Sequence, residues 1–284
     1  MSATTHPSTV TPVEPGSPAQ ADPPAPLTRF GRVFTGEWVK IRSVRSVGFL
    51  ALAAALSLVL VGVFNAVGIA VQAGSQSEPV DPATLDPTGA SLNGVGAALV
   101  AVAALGVVAV TGDYASQTIK TTIAAVPRRS QLLLAKTAAI AALVFPIMLG
   151  SALIAFVAAQ IVLAQVGMSI SLLHPGVARA VVGAALYLTT VAILTAGLGW
   201  LVRSTAGALA VWLGLWLLPS LVLLMLPGPL AGRVGPLLPG NAGTALATVG
   251  QAGELAVWGN YGVFVLYAAT TTVLGLVTLI KRDA

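Results

Sequence analysis

Six long apolar runs, at residues 47–72, 94–111, 137–167, 180–202, 205–226 and 261–280, constrain this chain more than any other feature. Roughly 20 mainly apolar residues carry a helix across about 30 Å of hydrocarbon. Within lipid a backbone must satisfy its own polar groups, which leaves helices and closed barrels as the only spanning structures. No segment alternates apolar and polar over about ten residues as a barrel strand does. The predicted fold class is therefore an all-α membrane protein with six transmembrane helices. Composition agrees: 8% charged residues, against about 25% in soluble domains, excludes a water-soluble enzyme, a nucleic-acid-binding module and a disordered hub. The absence of cysteine excludes disulfides, thiolate metal sites and cysteine nucleophiles.

The fourth and fifth runs are parted only by Arg203 and Ser204, and the combined stretch is too long for one crossing, so a tight turn is predicted there. Pro146 in the overlong third run and Pro219 in the fifth predict tilted or kinked helices. Six crossings place both termini on one side. That side carries Arg29, Arg32, Lys40, Arg42, Arg45, Lys120, Arg128, Arg129, Lys136, Arg203, Lys281 and Arg282, while the other has only Arg179 and Arg233. This asymmetry assigns both termini to the cytoplasm. It also explains the net charge of +5 without a nucleic-acid partner, because the bases are spread over several short loops. Residues 1–28 hold seven of the 18 prolines amid Ser, Thr and Ala, the composition of a disordered cytoplasmic tail rather than a cleavable signal. Residues 29–284 form the six-span domain.

Two segments outside the apolar runs are informative. Before the first run, Phe30, Phe34, Trp38 and Ile41 recur at helical spacing, with Arg29, Arg32, Lys40 and Arg42 largely elsewhere around the helix. This predicts an amphipathic helix in the cytoplasmic interface, aromatics toward acyl chains and bases toward headgroups. Glu37 is an exception, since an acid among bases points to a specific partner. Between the second and third runs, Ala115, Ile119, Thr122, Ile123 and Val126 recur at helical spacing. Asp113 and Ser116 suit a helix start, and Pro127 a stop. A short cytoplasmic helix over residues 113–126 is predicted. Rich in Thr and short of bulky hydrophobes, it suits a protein groove better than a bilayer surface.

The start Glu37-Trp38-Val39-Lys40-Ile41-Arg42, the acid-aromatic opening and Thr-rich helix from Asp113 to Thr122, and Val126-Pro127-Arg128-Arg129 followed by Ala135-Lys136 together resemble the type-2 ABC exporter permeases. The six-span plan agrees over residues 29–284. Members of that family often carry Glu where Asp113 stands and Gly where Gln117 stands. The resemblance implies that residues 113–126 form a coupling helix seated in a separate ATPase subunit, with Asp113, Tyr114, Ser116, Thr118, Ile119, Lys120, Thr122 and Ile123 as its contact residues. It implies a bacterial inner-membrane protein that pairs with a second permease copy or paralogue, with ATP and Mg bound by the partner.

The energy source follows from the residues independently. A phosphate-cradling G-x-x-x-x-G-K-[ST] loop needs Gly before Lys, and Lys40, Lys120, Lys136 and Lys281 follow Val39, Ile119, Ala135 and Ile280. No apolar run contains Asp, Glu, Lys, Arg or His, whereas proton- or sodium-driven carriers usually place ionisable groups at mid-membrane. Active transport then needs a partner to supply energy. No catalytic or metal-ligating set is evident, with His6 in the tail and His174 isolated on the outer side. Within the runs the polar inventory is thin, and Ser, Thr and Gly residues there favour helix packing. Trp212 and Trp216 stand one turn apart near the middle of the fifth run, a candidate lining for a hydrophobic or amphiphilic substrate or a packing pair. Residues 242–256 are predicted to form one short helix in the outer interface. Two alternatives stay open: a non-transporting polytopic scaffold, and a passive or ion-coupled carrier.

Overall fold

The computed structural model describes residues 26–75, 86–116, 129–249 and 254–282. Its helices are α1 (Pro26–Ser43), α2 (Arg45–Ser75), α3 (Pro87–Leu92), α4 (Val95–Ala115), α5 (Arg129–Ala164), α6 (Val177–Val202), α7 (Thr205–Met225), α8 (Gly228–Val234), α9 (Pro239–Thr244) and α10 (Glu254–Arg282). Single 3-10 turns lie at Gly235–Leu237 and Ala245–Ala247. No strand occurs among the described residues. Six stretches, α2, α3 with α4, α5, α6, α7 and α10, are long and apolar enough to cross a membrane. Among the described residues the fold is all-helical, and its six membrane-length helices mark a multi-pass membrane protein.

The helices outrun the apolar stretches that announce them. Thus α4 continues past Thr111 to take in Asp113, and α5 begins at Arg129 and takes in Lys136. Charged residues end a hydrophobic run without ending a helix, because Asp and Lys cost only a few tenths of a kcal/mol in helix propensity, roughly up to 0.7. The apolar runs themselves hold no Asp, Glu, Lys, Arg or His, and the charges enter only where the helices extend beyond them.

At the core lies α6, the most deeply buried of the long helices, with α4, α5 and α10 around it. Its neighbours approach closely because small residues meet it. A side chain at Gly106 on α4 would collide with the Ala192 carbonyl and the Thr195 hydroxyl of α6, and one at Gly197 would run into Thr271 of α10. The threonine hydroxyls on α6 are satisfied locally: Thr189, Thr190 and Thr195 donate to the carbonyls of Ala185, Leu186 and Val191. Two hydroxyl pairs cross between helices, Thr111 with Thr205 at 2.7 Å and Thr190 with Tyr261 at 2.8 Å. By contrast α7 and α10 leave most of their apolar surface exposed, as helices facing lipid do.

The turn between α6 and α7 is as tight as the sequence implies. Arg203 adopts φ 60°, and Ser204 Oγ accepts from the Gly207 N–H at 3.4 Å to open α7. Residues 242–256, in contrast, do not form one helix. After α9 and the Ala245–Ala247 turn the backbone becomes extended at Thr248, and α10 starts at Glu254. Arg179 donates to the carbonyls of Leu246 and Thr248 at 3.4 and 3.1 Å. Those are acceptors that a continuous helix would have used itself.

Gln160 stitches the bundle at the same end. Its Nε2 donates to the Pro87 carbonyl and to Ser91 Oγ, while its Oε1 accepts the Ile170 N–H at 2.8 Å. Gln160→Leu is expected to lower stability by about 1–3 kcal/mol, the cost of leaving partly buried polar groups unpaired. Thermal unfolding in detergent checks this, and an unchanged midpoint would show that water replaces the amide at no cost.

Candidate functional site at the charged end of the bundle

One end of the bundle gathers nearly all of the described charge. On α1, Glu37, Lys40 and Ile41 fall within one helical turn and so share a face, and that helix lies against α5. Ile41 and Glu37 are buried, and Phe34 and Trp38 pack partly against the core. Phe34 and Trp38 stack at 6.3 Å, with the Arg42 guanidinium 5.6 Å from the Trp38 ring. Phe30 is half-buried. One face of α1 therefore belongs to the bundle itself.

Four ionised groups meet beneath that face. Lys40 Nζ lies 2.7 Å from Asp113 Oδ1, and Lys136 Nζ bonds Asp113 Oδ2. The same ammonium lies 3.1 Å from Glu37 Oε2, a charge contact outside hydrogen-bond geometry. The Lys136 side chain is 1% exposed, against 5% for Glu37, 8% for Asp113 and 29% for Lys40, which makes Lys136 the hub. Two acids and two bases cancel, and that cancellation permits their burial. A lysine beside one face and acids on two others pins α1, the end of α4 and the start of α5 together.

Aromatic groups extend the cluster toward α6. The Lys136 ammonium stands 5.8 Å from the Trp200 ring, Tyr114 meets Trp200 edge-on at 6.0 Å, and the Arg203 guanidinium covers Tyr114 at 5.2 Å. Such cation–π contacts strengthen where water is excluded. Two arginines then cap α10: Arg129 donates to the Leu279 and Ile280 carbonyls at 2.8 and 3.0 Å, and Arg203 to that of Thr278 at 3.4 Å. Cations at a helix C-terminus meet carbonyls that have no partner within the helix. Beside the ion cluster, a cavity of about 310 Å³ is lined by Lys40, Val44, Val47, Val108 and Asp113.

Asp113 does not open a helix, as its acid character led us to expect. It lies in the last turn of α4, and Ser116 is the C-cap, its Oγ donating to the Gly112 carbonyl at 2.8 Å. The helix dipole there disfavours an acid, and the two lysine ammonium groups outweigh it. Thr118, Ile119, Lys120, Thr122 and Ile123 lie outside the described residues. Their flanks, Ser116 and Arg129, both emerge at this end. Trp212 is 3% exposed and Trp216 half-buried, and they stack at 6.0 Å in an aromatic group with Tyr187 and Phe264.

The residue whose role sequence reasoning missed is Lys136, read as a basic loop residue and as part of the Ala135-Lys136 pair but not as an ion-pairing hub. A signal was present: Lys136 stands inside Leu132-Leu133-Leu134-Ala135-Lys136-Thr137-Ala138-Ala139, a stretch with no other charge. A lone lysine in such surroundings needs a counter-ion. Among the described residues no three of His, Cys, Asp or Glu come together, so the cluster offers ion pairing and mechanical linkage. Comparison with family models finds no match to this chain, and neither does comparison with curated proteins.

Proposed function

We propose that this chain is the membrane-spanning subunit of an ABC exporter of the type-2 permease kind. In that role it moves a hydrophobic or amphiphilic compound across the cytoplasmic membrane on ATP hydrolysed by a separate subunit. One observation carries the reading: the buried Glu37, Lys40, Asp113 and Lys136 cluster binds α1 and both flanks of the 117–128 segment into one joint. A push delivered to that segment from outside passes at once to α4 and α5, and through Trp200 to the central α6. A loop that merely connected two spans would need no such joint.

On this reading the charged end faces the cytoplasm, as the distribution of Lys and Arg favours. The segment 117–126 docks into the ATPase, which holds ATP and Mg, and the permease works as a dimer with a second copy or a paralogue. The apolar helices lean toward an apolar or amphiphilic cargo.

A mild-detergent pull-down of the tagged protein from its native membrane is expected to recover an ATPase with a Gly-rich phosphate-binding loop. Ile119→Arg should abolish its recovery at equal membrane levels, and replacing Asp113 and Tyr114 by Ala should weaken it. If no ATPase is recovered under conditions that keep a known transporter complex intact, the scaffold or passive-carrier reading takes its place.

A further inference from the structure

At the other end of the bundle the charge accounting is different. Arg179 lies near the start of α6, 21 residues before Trp200, or about 32 Å along the helix at 1.5 Å per residue. It borders a cavity of about 460 Å³ that is also lined by Asn241, Thr244, Thr248 and Asn260. This volume lies within the range of small-molecule sites, about 300–1,000 Å³.

In the opposite cluster the buried Lys136 and the partly exposed Lys40 each have a carboxylate beside them. Among the described residues Arg179 has none: its partners are the uncharged carbonyls of Leu246 and Thr248, and its Nε is buried with no hydrogen-bond partner. Two of its five N–H donors are thus used. The hydroxyls around it do not supply the missing charge or further donors, since Thr244 donates to Gly240 and Asn241 carbonyls and Thr248 to that of Ala245. Asn260 makes no side-chain hydrogen bond among the described residues. Arg179 keeps three N–H donors and the Asn241 and Asn260 amides keep others beside their oxygens, so the cavity offers donors and a positive charge to an accepting, anionic ligand. A half-buried guanidinium without a counter-ion is costly until an anion joins it, and its planar fork matches an oxyanion in two parallel bonds. Leu230, Val234 and Leu237, neighbours in the chain of the lining residues Gly232, Gly235 and Pro236, are exposed and apolar.

We propose that this cavity binds the anionic oxyanion head of an amphiphile, with Arg179 and Asn260 as the donors and the Leu230, Val234 and Leu237 surface taking the chain. The site goes beyond the exporter reading and does not depend on it: loss of ATPase association would leave anion binding untouched.

The test titrates the full-length protein in a neutral detergent with dihexanoylphosphatidylglycerol, dihexanoylphosphatidylcholine and inorganic phosphate, following the thermal unfolding midpoint. Saturable stabilisation by the anionic lipid is expected at a concentration at least tenfold below that for the zwitterionic one. Arg179→Gln should raise the half-saturating concentration at least tenfold. Because that variant also loses two carbonyl contacts, Gly232→Phe is the companion. Gly232 borders the cavity and a Cβ there meets nothing within 4 Å, so a Phe is expected to occupy cavity space while the Arg179 contacts stay intact. It should weaken binding to a similar extent. Phosphate binding as tightly as the lipid would identify a free oxyanion as sufficient, whereas weaker phosphate binding identifies the amphiphile. Equal response to both lipids, no saturable response to either anion, or unchanged binding in Gly232→Phe would overturn the proposal.

Discussion

Lys136→Met is expected to destabilise the protein by about 3–5 kcal/mol, the usual loss when one partner of a buried ion pair is removed. The reason lies in what the substitution leaves behind. Asp113 keeps Lys40, which is partly exposed, but Glu37 loses its only ion-pair partner among the described residues while staying buried. Methionine fills much the same volume, so the effect is one of charge rather than packing. The measurement is the unfolding midpoint in detergent, read for Lys136→Met, Glu37→Gln and the two together. Because the groups touch, the double variant should lose clearly less than the sum of the singles. Strict additivity would mean that the contact carries no energy, and the joint between α1 and α5 would lose its physical basis.

Gly106→Leu should be comparably damaging for a different reason. The added side chain enters the α4–α6 contact at the Ala192 carbonyl and the Thr195 hydroxyl. Overpacking of this kind costs about 1–3 kcal/mol and occasionally more. The upper end is expected here, because backbone of the central helix cannot swing aside as a flexible side chain can. Gly96→Ala on the same helix is the control. Nothing lies within 4 Å of a side chain there, so the better helix former should be neutral or stabilising by about 0.5–1 kcal/mol. Should both variants behave alike in unfolding and expression, close approach at Gly106 would not be what holds α4 to α6.

The readable parts of the fold were those that follow from local chemistry. Arg203 and Ser204 punctuate two apolar runs, and a left-handed residue followed by a Ser cap stands there. The Ser, Thr and Gly residues of the apolar runs suggested packing, and Gly197 and Gly199 do meet Thr271 and Val110 on neighbouring helices. The helix expected over residues 242–256 failed because its carbonyls answer to Arg179, more than sixty positions away in the chain. Asp113 was likewise misplaced at a helix start. Its stabilising charges come from Lys40 and Lys136, and neither is its neighbour in sequence.

By itself the sequence determined the class of solvent and the kind of element. Apolar runs of membrane length in a chain with little charge have only the helix available, since no water is present in the bilayer to satisfy an open backbone. It also determined where the charge would collect, in the segments between those runs. Only the tertiary structure decided which charges meet and which stand alone. Ion pairing acts through space and depends on burial, so Lys136 finds Asp113 from 23 positions away. Arg179, written with the same formal charge, borders a cavity and meets only carbonyls among the described residues.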